Sequence, residues 1–278
     1  MAGITAGQVK ELREATNVGM MECKRALEET GGDMDEAKKL LRKMGMAVAE
    51  KKSSRAANEG LIGTAATEDG KTVSLVEVNC ETDFVARNET FRNFVSELAQ
   101  RACEMDGSIA EEARDKTTAM IAEIGENIVV GRNARFVLSG PGMVSSYVHL
   151  NGKIGVLLEV SCEKEETAGQ DGFRELCRDL ILHVAAAAPD YLTDDEVPEE
   201  VLSAEREIYA SQVKDKPEHV VEKIITGKLK KFCSEICLMG QGFVKEPKKP
   251  IQKLLEESSK SIGDRIAVRR FLRCQIGQ

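Results

Sequence analysis

The residues with the clearest chemical potential are Glu81, Asp83 and Phe84, inside the stretch E-V-N-C-E-T-D-F-V-A-R. Two carboxylates this close could form an acid pair, but no nucleophile or base partners them. An apolar ring beside a carboxylate instead suits insertion into another molecule. The alternative is that Phe84 folds back to plug the end of the core, because an exposed Phe is usually disfavoured. The stretch therefore indicates binding or packing rather than bond-making.

The flanking pattern predicts where this stretch lies in the fold. Alternation of Val76 and Val78 with polar residues predicts a strand, which Glu81 to Asp83 should end. Asn88 can cap a following helix, and the apolar face of that helix comprises Phe91, Phe94, Val95, Leu98 and Ala102. Residues 82–87 should therefore form the tip between a strand and a helix, where a sheet can present a side chain to a partner.

An internal repeat helps to decide whether Phe84 inserts into a partner, as a wedge, or plugs the end of the core. Shifting the sequence by 82 positions aligns Gly60, Glu77 and Cys80 with Gly142, Glu159 and Cys162, and aligns the two helix faces that follow. Two copies of one strand–strand–helix unit are the simplest interpretation. The second copy carries Glu166 where the first carries Phe84, so the ring is expected to serve something that only one copy does.

No other constellation predicts catalysis or a cofactor. The sequence has no phosphate loop, dinucleotide fingerprint or nucleophile elbow, so direct nucleotide binding is not expected. The three histidines are far apart, and Cys233 with Cys237 offers at most half a metal site. We predict a protein that is not an enzyme and binds neither a metal nor a cofactor.

Composition narrows the class further. The net charge of −8 argues against nucleic acid as the main partner, although the basic residues between Lys245 and Arg273 could contact RNA or simply form a solvated face. The scattered cysteines and the lack of a signal peptide or transmembrane run predict a cytoplasmic protein with no membrane partner.

The chain divides into four predicted regions of an α+β fold. Residues 1–52 should form three short helices, the third ending near Gly45, with a polar linker at 50–58. Thr5 with Gln8 and Asp33 with Glu36 are capping-box patterns that should begin the first and third helices. The pattern further along predicts a helix over 109–124, a loop at 243–247 and a short helix over 251–257. The first α+β subdomain is expected at 56–140, and the second at 141–190 plus 228–278. A helical hairpin at 191–227, turning at 214–217, should be inserted in the second. Its apolar stripe must pack on the sheet or on another protomer.

Two stretches carry a family resemblance. L-R-E-A-T-N-V-G-M-M-E-C-K-R-A-L, at 12–27, and E-V-N-C-E-T-D-F-V-A-R, at 77–87, resemble the signatures of the translation elongation factor Ts family, as do I-G-E-N at 124–127 and the G-F-V-K-E-P loop. The resemblance implies a ubiquitin-associated-like helical module, two similar α+β subdomains and a hairpin that can dimerise. It also implies exchange of guanine nucleotide on elongation factor Tu.

The resemblance further implies a set of partner contacts. Asp83 and Phe84, flanked by Thr82 and Val85, would be pushed between two helices of the Tu nucleotide domain, disturbing the Mg²⁺ and phosphate site. The other implied contacts are Arg13, Met20, Met21, Lys24, Ile124, Gly125, His149 and Val244. Lys245 stands where some relatives have Met, so an apolar contact there is not implied. Asp83 could bind backbone N–H groups or repel the water shell of the metal.

Three functions follow for comparison. The first is the exchange factor, acting on GDP-bound and nucleotide-free elongation factor Tu, with a homodimer or a 2:2 complex left open. The second is a non-catalytic RNA- or protein-binding module built on a duplicated unit, and the third is a small-molecule enzyme. The acidic charge speaks against RNA binding, and the missing catalytic constellation speaks against the enzyme.

Overall fold

The computed structural model describes residues 4–16, 18–213 and 218–278. Its first three helices are α1 (Ala6–Thr16), α2 (Met20–Glu29) and α3 (Met34–Lys52). Both predicted start signals are present: Thr5 and Gln8 exchange backbone-to-side-chain hydrogen bonds, and Asp33 accepts from the N–H groups of Asp35 and Glu36. The three helices share a small core of Val9, Leu12, Cys23, Ala26, Leu27, Ala37 and Leu41.

The prediction that α3 ends near Gly45 is wrong, because the helix continues to Lys52. Gly45 is not a helix cap. It lies inside α3, where a Cβ would be 3.5 Å from the Cβ of Ala122, an ordinary van der Waals contact with a later helix. Val48 and Ala49 then pack against the core of the next unit. The far half of α3 is thus part of the following subdomain's surface, and the polar residues at 50–52 are its last turn.

The first α+β unit supplies the next elements. They are β1 (Glu59–Ala66), β2 (Thr72–Cys80), α4 (Asp83–Arg87), α5 (Glu89–Glu104), α6 (Ile109–Glu112), α7 (Arg114–Ile124) and β3 (Ile128–Val137). The strands form an antiparallel sheet in the order β1-β2-β3, and α5 covers one face of it. The single helix predicted over 109–124 is interrupted at Ala113, which is buried in this core.

The second unit repeats this plan. Its elements are β4 (Gly142–His149), β5 (Ile154–Ser161), α8 (Glu165–Ala168), α9 (Asp171–Ala187), α10 (Glu199–Gln212), α11 (Glu218–Ile236), β6 (Gly242–Phe243), β7 (Glu246–Pro250), α12 (Ile251–Ile262) and β8 (Ala267–Gln275). The sheet order is β4-β5-β8. Gly60 and Gly142, one per copy, have φ of 144° and 149°. The repeated order of elements, with an equivalent glycine in each copy, confirms the predicted duplication and the α+β class.

The two sheets pack face to face, with a helix on the outer face of each. Their shared core contains Ile62, Val73, Leu75, Phe136, Val144, Leu157 and Cys274. Buried Glu77 pairs with Arg132 Nε at 2.7 Å, and buried Glu159 pairs with Arg270 Nε at 2.6 Å. Each arginine also donates to a backbone carbonyl of the opposite sheet. Equivalent residues of the repeat therefore join the two sheets.

Two further sequence predictions need correction. The predicted loop at 243–247 forms the β6–β7 hairpin, closed by pairing of Phe243 with Glu246. The helix predicted to stop at Glu257 extends to Ile262, because Ile262 still packs on the second core and Gly263 then takes the left-handed conformation that ends a helix.

Helices α10 and α11 pack against each other and form the predicted hairpin. Val197, Cys233 and Cys237 are the buried centre of its base, and the chain is tied there by pairing of Tyr191 with Cys237. The predicted boundary at 227 falls inside α11, and the predicted turn at 214–217 lies outside the described residues. Among the described helices, none is long and apolar enough to cross a membrane.

Candidate protein-binding site

Two consecutive helix caps build the corner between β2 and α5. The Thr82 hydroxyl oxygen accepts a hydrogen bond from the Val85 N–H at 3.4 Å, which begins α4. The Asn88 side chain accepts from the N–H groups of Thr90 and Phe91, which begins α5. Cap residues six positions apart leave room for only one short helix between them. The corner places residues 82–87 at the end of the sheet, as the sequence predicts.

Phe84 projects from this corner into solvent. Its side chain is 79% exposed, the highest value among the large hydrophobic side chains of the described residues. The neighbouring Ala86 is buried and the half-buried Val85 packs on the first core, so they perform the packing that a plug would perform. The plug interpretation of Phe84 is therefore wrong.

Asp83 lies beside the ring and is partly committed within its own helix. Its carboxylate is 2.8 Å from the Arg87 guanidinium, four residues later. Both side chains remain well exposed, and an exposed pair of this kind contributes little to stability. Asp83 can therefore exchange Arg87 for a partner's donors at small cost.

The I-G-E-N loop holds the corner from the other side. The Glu126 carboxylate accepts hydrogen bonds from the N–H groups of Glu81 and Thr82, at 3.1 and 3.0 Å, and from the Thr82 hydroxyl at 2.7 Å. Sequence reasoning singled out the motif but missed the role of Glu126. The signal available was an acid directly after the helix-ending Gly125, before a strand that pairs with β2.

Glu81 makes the reciprocal contact. Its carboxylate accepts from the backbone N–H of Asn127 at 2.6 Å, and this bond, with help from Arg55, holds the pKa of Glu81 below its ordinary value. Asn127 is buried, and its side chain donates to the carbonyl of Arg55 at 2.8 Å. The proposed acid pair of Glu81 and Asp83 is thus divided, because Glu81 is structural and only Asp83 faces solvent.

The predicted contacts Ile124 and Gly125 lie next to this corner. Ile124 is half-buried against the first core, and Gly125 has φ of 83°, which lets it end α7. The Lys52 ammonium donates to the Gly125 carbonyl. Burial raises the pKa of Glu123, one residue before Ile124, and the charge of Arg13 on the helical module opposes that rise in part. The structure thus brings the end of the helical module to the loop that clamps the corner.

Met20 and Met21 open α2 and are both exposed, at 46% and 66%. Neither side chain therefore packs in the core of the helical module. Lys24, one turn later, lies on the surface 3.7 Å from Glu28. Exposed methionine side chains are adaptable apolar contacts, and this pair is well suited to a protein partner.

His149 and Val244 belong to the second unit. His149 ends β4 with an exposed ring 2.9 Å from the Tyr147 hydroxyl, and exposed Leu150 follows it. Val244 is exposed in the β6–β7 turn, and Lys245 pairs with Asp179 at 2.7 Å. No hydrogen bond or ion pair within the described part of the chain links either residue to the corner. Leu150 is an apolar surface residue that sequence reasoning missed.

The other candidate groups, the Cys233–Cys237 pair and the basic residues near the C-terminus, have structural roles. Burial beside Asp194 raises the pKa of Cys237 to about 12 and also raises that of Cys233, which disfavours the thiolates that metals require. Residues 4–16, 18–213 and 218–278 hold no group of three or more potential metal ligands. Of the basic residues near the C-terminus, Lys245, Lys249 and Arg270 are paired with acids.

Fold and site together define a class of protein. A duplicated α+β core holds the exposed Phe84 ring on a clamped corner, and the helical module presents the exposed pair Met20 and Met21. Rigid aromatic anchors and adaptable apolar side chains are typical of protein-docking surfaces.

Comparison with known proteins gives the family. The model of the family described as "Elongation factor TS" matches residues 81–278. Two curated proteins named Elongation factor Ts are each 44% identical to this chain. The match to that of Nitratidesulfovibrio vulgaris strain DP4 covers 99% of this chain and 96% of the relative. The match to that of Clostridium perfringens strain SM101 covers 99% of this chain and 93% of the relative. The chain belongs to the elongation factor Ts family.

Proposed function

We propose that this chain is the guanine nucleotide exchange factor of elongation factor Tu, and that Asp83 and Phe84 enter the GTPase domain and disturb its Mg²⁺ and phosphate site. Family membership supports the partner and the activity. The observation that carries the mechanism is the exposed Phe84 on a corner fixed by the Thr82 cap. The cytoplasmic location expected from the sequence is part of the same proposal.

The proposed mechanism is linkage between two ligands of one GTPase. An exchange factor lowers the affinity for GDP when it binds the nucleotide-free form better than the bound form. By reciprocity, a nucleotide that rebinds weakens the factor's hold by the same ratio and releases it. The factor itself needs no bond-making group, so the absence of a catalytic constellation in the sequence agrees with this role.

The free energy that Phe84 can contribute indicates how much of the binding must come from other contacts. Burying an exposed Phe side chain supplies roughly 1.5–3 kcal/mol, which offsets part of a displaced helix and a loosened metal site. The remainder must come from a broader contact. We assign that contact to Arg13, Met20, Met21 and Lys24 on the helical module, to Ile124 and Gly125 beside the corner, and to His149 and Val244 on the second unit.

The alternative of an RNA-binding module has less support. Three of the C-terminal basic side chains are neutralised by Asp179, Glu246, Glu257 and Glu159. A phosphate-binding face requires cations that are free to release counterions. Self-association, as a homodimer or within a 2:2 complex, is proposed only for the sides of the α10–α11 hairpin.

The direct test uses purified elongation factor Tu loaded with fluorescent GDP. Release is timed with excess unlabelled GDP, across a range of concentrations of this protein. We expect release to accelerate and saturate, and we expect added GDP to dissociate a preformed complex of the two proteins. A release rate that does not depend on this protein would refute the proposed function.

A further inference from the structure

The two copies of the repeat hold their tips in the same way. In the first copy Glu126 accepts from the N–H groups of Glu81 and Thr82. In the second, Asp264 accepts from the N–H groups of Glu163 and Lys164, at 3.4 and 3.0 Å, and these are the equivalent positions 82 residues later. Each acid precedes the third strand of its sheet, β3 or β8. An acidic clamp on the tip is therefore part of the repeat unit.

The copies differ in which hydroxyl the clamp engages. Glu126 binds the Thr82 hydroxyl at 2.7 Å, and the same oxygen caps α4, so the clamp orients the helix that begins with Asp83 and Phe84. Asp264 binds the buried hydroxyl of Thr167 at 2.6 Å, at the position equivalent to Val85. Lys164 replaces Thr82 in that copy, and its side chain does not cap α8.

The first copy also carries a second lock. Glu81 accepts from the Asn127 N–H, and the Asn127 side chain fixes the Arg55 carbonyl in the segment that follows α3. At the equivalent position of the second copy, the N–H of Arg265 donates to the adjacent Asp264 instead. The tip that carries the aromatic ring is thus held by two carboxylates, and the tip without it by one.

We propose that Glu126 is a positioning residue for exchange, holding the Thr82–Val85 turn so that Phe84 enters the partner already oriented. The inference rests on the proposed function. A helix of five residues has little stability of its own, so α4 needs an external support. A side chain that is ordered before binding avoids the entropy cost of ordering during binding, and that saving appears in the step where the ring is inserted.

The duplication supplies a matched control. Glu126→Ala removes three accepted hydrogen bonds at the first tip, and Asp264→Ala removes the equivalent bonds at the second. Glu126→Gln is the conservative variant, because its amide oxygen can accept from both N–H groups and its amide N–H can donate to the Thr82 hydroxyl. Each variant of the full chain is compared in urea unfolding, amide hydrogen exchange of the two tips, and GDP release.

We expect Glu126→Ala to speed amide exchange in 81–87 and to lower the saturating rate of GDP release about tenfold, with a smaller change in half-saturating concentration. Glu126→Gln should restore most of that rate. Asp264→Ala should loosen 163–169 and destabilise the fold at least as much, yet keep the rate within about twofold of wild type. The comparison of these variants thereby separates a rate lost through reduced stability from a rate lost through poor positioning of Phe84.

Two results would overturn the inference. One is a Glu126→Ala protein whose tip exchanges faster but whose saturating rate is that of wild type. The other is an equal rate loss in Asp264→Ala. Should Glu126→Ala not fold, Thr82→Val removes the clamped hydroxyl and is expected to act in the same direction. Failure of the wild-type chain to accelerate release would refute the proposed function instead, and amide exchange reports on the clamp without any partner.

Discussion

The buried His183 ring accepts a hydrogen bond at Nδ1 from the backbone N–H of Val244, at 3.3 Å. Its Nε2 lies 3.0 Å from the Gln241 side-chain oxygen. Because the Val244 N–H can only donate, these partners define the neutral imidazole with its proton on Nε2. Burial lowers the pKa of His183, opposed in part by the bond to Gln241. A helix of the second core thus fixes the turn that presents Val244.

This arrangement predicts a pH dependence of stability. In the fold His183 has a pKa below its ordinary 6.5, so the unfolded chain takes up the proton first as the pH falls. The stabilisation is complete above 6.5 and is lost as the pH falls through 6.5 toward the lowered value. Urea unfolding between about pH 7.5 and 5.5 should show this loss. We expect His183→Gln to flatten the profile and the exposed His149→Gln to keep the wild-type slope; identical slopes for all three proteins would contradict the assignment.

The helical module should contribute affinity rather than rate. Met20→Ala with Met21→Ala removes two exposed apolar contacts without touching the module core. We expect the half-saturating concentration for GDP release to rise about tenfold, with the saturating rate nearly intact. Met46→Ala, another exposed methionine of the module, is the control and should behave as wild type. An unchanged half-saturating concentration in the double variant would remove these residues from the interface.

Deletion of the whole module is a poorer experiment than the sequence suggests. The predicted boundary at 52 treats 1–52 as a unit on a polar linker. In the structure α3 packs along α7, and Arg42 lies 2.6 Å from Asp115 across that contact. Removal of 1–52 would therefore expose part of the first core, and reduced exchange would not distinguish affinity from stability.

The α10–α11 hairpin should be dispensable for exchange. Its outer part is held by contacts within itself, such as Arg206 with Glu222, while the base carries Val197, Cys233 and Cys237. Replacing 203–229 by a short Gly-rich turn keeps that base. We expect a folded protein with wild-type exchange, and sedimentation will show whether a dimer is lost. An unfolded product would mean that the outer hairpin is core structure.

The sequence predicts the fold best where local signals agree with packing. The duplication, the capping box of Thr5 with Gln8, the Asp33 cap and the corner at Thr82 and Asn88 each depend on nearby residues, and these are confirmed. The Glu36 carboxylate pairs with Lys39 instead of making the predicted return contact to Asp33. Gly45 misled the prediction because a glycine often ends a helix, whereas α3 continues past it and packs Val48 and Ala49 on the first core, far away in the chain. The packing of the two sheets likewise depends on contacts far apart in the chain.

In the candidate site too, the features set by nearby residues could be predicted and those set by distant contacts could not. The sequence alone places Phe84 at a tip. Because the second copy of the repeat has Glu166 at the equivalent position, the sequence also indicates that the core does not require an apolar residue there. It cannot show that Glu126 reaches Thr82, because 44 positions separate the two residues and the contact forms only once β3 pairs with β2. The exposure of Met20 and Met21 was equally undetermined, since methionine serves cores and surfaces alike.

The most direct test of the central claim compares Phe84→Ala with wild type in release of labelled GDP from elongation factor Tu. Ile208→Ala, which trims an exposed side chain of α10, is the matched control. We predict that Phe84→Ala lowers the saturating rate by at least about tenfold, because the truncation removes roughly 1.5–3 kcal/mol of burial gained during exchange. Its unfolding free energy should be unchanged, and its binding should weaken less than its rate falls. A Phe84→Ala protein with the wild-type saturating rate would contradict the wedge mechanism.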